Sequence, residues 1–136
     1  MTVRTKNIVN FMCKAIASVL LLQTLFFKFS AAEESVYIFS KLGVEPWGRI
    51  ASGVFELVAS VLMLWPRTTA WGALLALGIM GGAILSHLLV LGISVQGDGG
   101  QLFAYAVLVL LSALVLVVNY RRQLGTLLPA SLFPSK

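Results

Sequence analysis

The sequence predicts an all-α integral membrane protein: a four-helix transmembrane bundle, up-down-up-down, with a short interfacial helix between the first two spans. Of the 136 residues, 59% are hydrophobic and only 11% are charged, and a soluble domain of this size could not bury so much apolar surface. The apolar residues fall into four runs, each near the roughly 20 residues with which a helix spans a bilayer. Helices are required because lipid cannot satisfy open backbone groups.

The four runs set the predicted order of the chain, which we treat as one membrane domain over residues 1–136. The predicted spans are about residues 8–29, 47–65, 70–93 and 102–120, followed by a C-terminal tail at about 121–136. The second and third turns are short, so consecutive helices are expected to be antiparallel neighbours.

The segment at about residues 31–42 predicts the short helix on the membrane surface. Ser30 to Glu33 has the pattern of a capping box, in which Ser30 would cap the helix. Gly43 suits the position just after the helix, and Pro46 the start of the second span.

Basic residues predict the orientation of the bundle. They cluster on one side of a chain that crosses four times, at Arg4, Lys6, Lys14, Arg67, Arg121 and Arg122. Because such residues favour the cytoplasmic side, we expect both termini in the cytoplasm. The same explanation accounts for the formal net charge of +5 and leaves no reason to expect nucleic-acid binding.

The N-terminal run permits a second interpretation. Basic residues, an apolar stretch and Ser30-Ala31-Ala32 together have the pattern of a secretory signal with a cleavage site. The charge of Lys28 beside that site and the length of the apolar run argue against cleavage.

Ionisable side chains interrupt or border the apolar runs at Lys28, Arg49, Glu56 and His87. Such a group in hydrocarbon usually faces the interior of a bundle and marks a functional site. At a rise of 1.5 Å per residue, Glu56 lies about 13 Å and His87 roughly 9 Å from the outer ends of their helices. With Gln101 and Tyr105 on the fourth helix, these residues predict one outward-facing polar chamber.

Structural roles compete with this interpretation. Lys28 and Arg49 could reach the lipid headgroups, and Glu56 could form a structural ion pair with either of them. His87 could be a neutral hydrogen-bonding residue between helices. Small residues spaced every four along the third span could pack the bundle or a homo-oligomer; they are Gly72 and Ala76, then Gly78, Gly82 and Ser86.

The predicted chemistry assigns proton transfer to Glu56 and His87, as the catalytic pair. Lys28, Arg49, Gln101 and Tyr105 are the candidate substrate-binding residues. Such a site suits the carbonyl oxygens of a bound quinone or a periplasmic sulfur oxyanion. Cys13 is the single cysteine, so the chain has no thiol pair or cysteine cluster, and no metal site is predicted. If electrons pass through the protein, a bound small molecule or a redox partner protein must carry them. A small-solute or proton pathway and a scaffold without chemistry are the alternatives.

Several short motifs carry a resemblance to a known family. They are Leu42-Gly43-Val44-Glu45-Pro46-Trp47-Gly48-Arg49, Gly53-Val54-Phe55-Glu56-Leu57, Pro66-Arg67 with Gly72-Ala73, His87-Leu88 with Leu91-Gly92, and Gly97-Asp98-Gly99-Gly100 through Phe103. In order and spacing, over about residues 27–118, the chain resembles the DoxX family. The resemblance implies a four-helix protein of the bacterial inner membrane, with relatives linked to thiosulfate:quinone oxidoreduction or to membrane oxidoreductase complexes. It also implies polar site positions at Lys28, Arg49, Glu56 and His87.

Overall fold

A computed structural model of the protein describes residues 2–126, so the last ten residues of the predicted tail lie outside the described part of the chain. Its helices are α1 (Val3–Phe29), α2 (Glu33–Lys41), α3 (Trp47–Leu64), α4 (Thr69–Ser86) and α5 (Gln101–Asn119). A π-helical turn (His87–Leu91) continues α4, and a 3₁₀ turn (Arg121–Thr126) follows α5. Residues 2–126 contain no strand, and the all-α prediction is confirmed.

Four of these helices are long and apolar enough to cross a membrane: α1, α3, α4 with its π turn, and α5. The first begins at Val3 rather than near Ile8, because Thr2 caps it. The Thr2 hydroxyl accepts a hydrogen bond of 3.1 Å from the Thr5 N–H, so the polar N-terminal residues form the first turns of the helix.

The four long helices form a closed bundle in which each packs against two others. α1 and α4 occupy opposite corners, and α3 and α5 lie between them. Thr24 and Lys28 of α1 bond Glu56 and Ser52 of α3, respectively, so these two helices run antiparallel. The direction in which each helix crosses a membrane stays a prediction.

The two ends of the bundle differ. We call the half that carries α2 the capped half, and the half that holds the beginning of α1 and the end of α5 the terminal half. The terminal half has a core of mostly small side chains, namely Ala17, Ala59, Met63, Ala73, Ala76, Ala113 and Leu116, each fully buried. At Gly72 an added Cβ would lie 2.4 Å from the Met63 backbone nitrogen and 2.6 Å from the Ala59 oxygen, so α3 and α4 touch there through their backbones.

The small residues of α4 do not act as one surface. Gly72 and Ala76 are buried within the bundle, whereas Gly78 and Gly82 are exposed, with no atom within 4 Å of an added Cβ. The first pair therefore packs the bundle, and the second pair leaves the surface of α4 open.

The start of α2 differs from the predicted capping box. Its N-cap is Ala32, with no side-chain capping bond. The Ser30 backbone N–H still bonds the Phe26 carbonyl and closes α1, so Ser30 belongs to the preceding helix and that prediction is wrong.

The end of α2 follows the prediction. Gly43 has φ +77°, and the N–H groups of Gly43 and Val44 bond the carbonyls of Ser40 and Phe39 at 3.0 and 2.9 Å. This is the Schellman arrangement in which glycine ends a helix. The location of α2 on a membrane surface stays a prediction.

Candidate functional site

A cavity of about 510 Å³ lies in the capped half of the bundle and is lined by residues of all five helices. α2 contributes Ser35, Ile38 and Phe39. Toward the terminal half the cavity ends at Leu21, Met80 and Val109, each at least 94% buried. We call this space the outer cavity.

Five of the six predicted site residues line the outer cavity: Lys28, Glu56, His87, Gln101 and Tyr105. The structure thus brings side chains from four helices to one space, as the depth argument predicts. Arg49 is not among the lining residues.

An ion pair between α1 and α3 is the strongest polar contact in the outer cavity. Lys28 Nζ lies 2.5 Å from Glu56 Oε1 and 3.0 Å from Ser52 Oγ. The Thr24 hydroxyl donates to Glu56 Oε2 at 2.9 Å. The two charged side chains are 14% and 3% exposed, so each charge is compensated where water is scarce.

The aromatic ring of Phe39 completes the surroundings of Lys28. Its centroid lies 5.6 Å from Lys28 Nζ, a distance at which a cation is attracted to a ring face. This contact joins α2 to the ion pair. Lys28 and Glu56 are therefore occupied by their neighbours, as the structural interpretation of this pair predicts.

Sequence reasoning missed the role of Ser52. It precedes Glu56 by four residues, as Thr24 precedes Lys28. Residues four apart share a helix face, so two such pairs on antiparallel helices could have indicated a four-membered polar contact.

Arg49 forms a separate contact, away from the outer cavity. Its Nε lies 2.9 and 3.1 Å from the two carboxylate oxygens of Glu45, and its Nη1 donates to the backbone carbonyl of Lys28. The expected second cation in the chamber is therefore absent from the lining. The guanidinium instead ties the beginning of α3 to the end of α1.

His87 opens the π-helical turn and is held by Gly92. Its Nδ1 lies 2.9 Å from the Gly92 carbonyl oxygen, and the Gly92 N–H bonds the His87 carbonyl at 2.7 Å. The ring also meets Phe103 edge-to-face, with centroids 5.6 Å apart. Irregular turns of this type are frequent at functional sites.

Gln101 and Tyr105 lie one turn apart on α5 and bond each other. Gln101 Nε2 donates to the Tyr105 hydroxyl at 2.7 Å. The phenolic hydrogen of Tyr105 is then left to donate elsewhere, because a hydroxyl has one hydrogen and two lone pairs.

Asp98 organises the loop between His87 and α5. Its carboxylate accepts from the N–H groups of Val95, Gly100 and Leu102 at 3.0, 2.8 and 3.2 Å. Burial alone would raise the pKa of Asp98, but these backbone donors and the nearby His87 lower it below its usual value. Asp98 therefore stabilises the turn, and this loop holds the start of α5.

Among residues 2–126, no group of three or more His, Cys, Asp or Glu side chains is placed to hold a metal ion.

Comparison with known proteins gives one result. The sequence model of the DoxX-like family matches residues 12–115, which include every predicted site residue. No curated protein and no solved structure matches the chain significantly.

Proposed function

The chain belongs to the DoxX-like family, and from that premise we propose that this integral membrane protein binds a quinone head group in its outer cavity. It would act as a subunit of an oxidoreductase system in a bacterial inner membrane, with both termini in the cytoplasm. The observation that carries the proposal is the outer cavity. Most of the side chains that line it are apolar, and its one lysine, Lys28, is neutralised by the ion pair with Glu56.

The charge of the lining favours a neutral ligand over a sulfur oxyanion. The lining contains one lysine, Lys28, and two glutamates, Glu34 and Glu56. Lys28 is bonded to Glu56, and Arg49 lies elsewhere. An anion would therefore meet no uncompensated lysine or arginine, whereas a neutral head group needs none.

The size and position of the outer cavity also suit this ligand class. Its 510 Å³ is within the roughly 300–1,000 Å³ of small-molecule sites. Phe27 of α1 and Gly82 of α4 line the cavity and are exposed. Both lie on membrane-spanning helices, so a lipid-soluble molecule could enter with its tail remaining in lipid.

Two side chains supply the specific contacts. Tyr105 can donate its hydroxyl hydrogen to a quinone oxygen, and His87 can exchange a proton or a hydrogen bond. Reduction of a quinone to a quinol takes up two electrons and two protons. We assign the exchange of electrons to a redox partner protein, because the chain has a single cysteine and thus no thiol pair.

Ligand analysis and titration test the proposal. Protein purified in mild detergent should retain quinone detectable by mass spectrometry, and should bind a decyl-tailed benzoquinone in an equilibrium titration. Tyr105→Phe should weaken binding by about 2- to 10-fold, the value of one hydrogen bond. Leu88→Ala is the matched control, because Leu88 is exposed and does not line the outer cavity.

The proposal fails if neither retained nor added quinone is found on the protein. It also fails if Tyr105→Phe and Leu88→Ala bind alike. Thiosulfate should not compete for the site; if it binds where quinone does not, the sulfur-anion alternative replaces the proposal.

A further inference from the structure

The bond between His87 and Gly92 fixes the position of the imidazole hydrogen. The Gly92 carbonyl oxygen, 2.9 Å from Nδ1, can only accept a hydrogen bond, so Nδ1 must carry a hydrogen. A neutral imidazole has one N–H. In its neutral form, His87 therefore presents Nε2 as a bare acceptor.

The backbone maintains this arrangement. The π-helical turn returns the Gly92 N–H to the His87 carbonyl at 2.7 Å. Gly92 has φ +81° and ψ 170°, a conformation open to glycine and costly for other residues. One residue thus bonds both the backbone and the side chain of His87, which holds the tautomer without help from a ligand.

The free nitrogen of His87 faces accessible space. Nε2 has no hydrogen-bond partner among residues 2–126. Within the same residues, Ser18 Oγ is the single fully buried side-chain polar atom without a partner. Nε2 is therefore not sealed in the protein, although His87 as a whole is 5% exposed. Since His87 lines the outer cavity, we infer that Nε2 is accessible from it.

We propose that the outer cavity prefers the reduced form of its ligand, a quinol, whose hydroxyl donates to His87 Nε2. The inference rests on the proposed function and adds to it the redox form that is bound. A quinone carbonyl has no hydrogen to donate, so it leaves Nε2 without a partner. When quinone binds, Nε2 loses its hydrogen bond to water and gains no donor from the ligand, which weakens binding.

Neither Tyr105 nor the Lys28–Glu56 pair requires one redox form of the ligand. The Tyr105 hydroxyl can donate to a carbonyl or to a hydroxyl oxygen alike. Lys28 and Glu56 already bond each other, and Ser52 and Thr24 bond them in turn, so the pair is engaged before a ligand binds. We therefore assign the preference to His87.

Paired titrations test the inference. A decyl-tailed benzoquinone and its quinol are titrated anaerobically at pH 8, above the usual imidazole pKa of about 6.5. The quinol should bind about 2- to 10-fold more tightly, as one added hydrogen bond gives. His87→Leu should bring the ratio near one, whereas Tyr105→Phe should weaken both forms and keep the ratio.

A second measurement needs no substitution. His87 is the single histidine of the chain, so ¹⁵N-labelled histidine gives the NMR signals of one side chain. The ligand-free protein should show Nδ1 protonated and Nε2 bare. Quinol should shift the Nε2 resonance as a hydrogen-bond acceptor, and quinone should leave it near its ligand-free position.

The outcomes separate the two proposals. Equal or tighter binding of quinone, or an Nε2-protonated tautomer, overturns the inference and leaves quinone binding intact. If folded His87→Leu still binds quinol more tightly than quinone, the role assigned to His87 is wrong. Failure of both forms to bind overturns the proposed function together with the inference.

Discussion

The capped and terminal halves of the bundle hold the same four helices together by different means. In the capped half, the Lys28–Glu56 pair and its hydroxyl neighbours join α1 to α3, and a cavity lies beside them. In the terminal half, alanines and Gly72 let the helices approach closely. Long polar side chains thus accompany space for a ligand, whereas small apolar ones allow close packing.

The same difference bears on transport. The outer cavity ends at Leu21, Met80 and Val109, and the buried core of the terminal half continues from there. Within residues 2–126 the polar lining therefore stops inside the bundle. This geometry suits binding from one side better than passage of a solute.

The largest expected effect comes from breaking the ion pair of the capped half. Lys28→Met leaves the Glu56 carboxylate buried without its partner, which should lower the free energy of unfolding by about 3–5 kcal/mol. The double variant Lys28→Met/Glu56→Leu should recover most of this loss, because both buried charges are gone. Unfolding in detergent measures both.

Lys41→Met is the control for that experiment, since Lys41 is exposed at the end of α2. It should change stability little. Glu56→Leu completes the cycle. If the double variant loses as much unfolding free energy as Lys28→Met and Glu56→Leu added together, the two residues are not energetically coupled.

The next effect probes backbone contact in the terminal half. Gly72→Ala places a methyl group 2.4 Å from the Met63 backbone nitrogen, so the helices must separate, at a cost of about 1–3 kcal/mol. Gly78→Ala, on the open side of α4, should be neutral or stabilising by up to about 1 kcal/mol. Equal stability of the two variants would contradict close packing at Gly72.

A smaller effect concerns the loop that positions the outer cavity. Asp98→Asn weakens the backbone hydrogen bonds that hold the loop and the start of α5, and it should cost about 1 kcal/mol near neutral pH. The folded pKa of Asp98 is lowered, so its carboxylate stabilises the fold above the unfolded value of about 3.9 and loses this contribution as pH falls below it. The difference in unfolding free energy between wild type and variant should therefore be present near neutral pH and should narrow below about pH 4, where the Asp98 carboxylate takes up a proton. A gap that widens in acid would contradict this sign.

The smallest effect tests the polar contact of the terminal half. Asn119 Nδ2 donates to Asn10 Oδ1 at 2.6 Å between α5 and α1. Asn119→Leu should cost only about 0.6 kcal/mol, the average for a hydrogen bond between membrane helices. A loss of unfolding free energy as large as that of Lys28→Met would contradict the difference between the two halves.

Much of the fold could be predicted because hydropathy and helix length are local properties of the sequence. The four apolar runs, the glycine that ends α2 and the depth of Glu56 and His87 all follow from counting along the chain. Counting also places Arg49 on the face of Glu56, two turns away. It cannot tell which way a long side chain extends, and Arg49 reaches Glu45 and the end of α1 instead.

The remaining parts of the candidate site depend on backbone geometry that the sequence does not encode locally. The residues of the π-helical turn, His87-Leu88-Leu89-Val90-Leu91, read as ordinary apolar helix. Nothing in that pattern indicates that Gly92 returns to the His87 ring. The partners of Glu56 were likewise left open between Lys28 and Arg49, because both cations lie within reach of one carboxylate until the helices are packed.

The π turn at the end of α4 also makes the chain length between His87 and Gly92 significant. A π turn spans one residue more than an α turn, and each residue advances a helix by about 100°. Deleting one residue from 88–90 would swing the Gly92 carbonyl around the axis and free the imidazole to flip. This deletion removes no side chain that lines the outer cavity. It would nevertheless change which ring nitrogen of His87 the ligand meets.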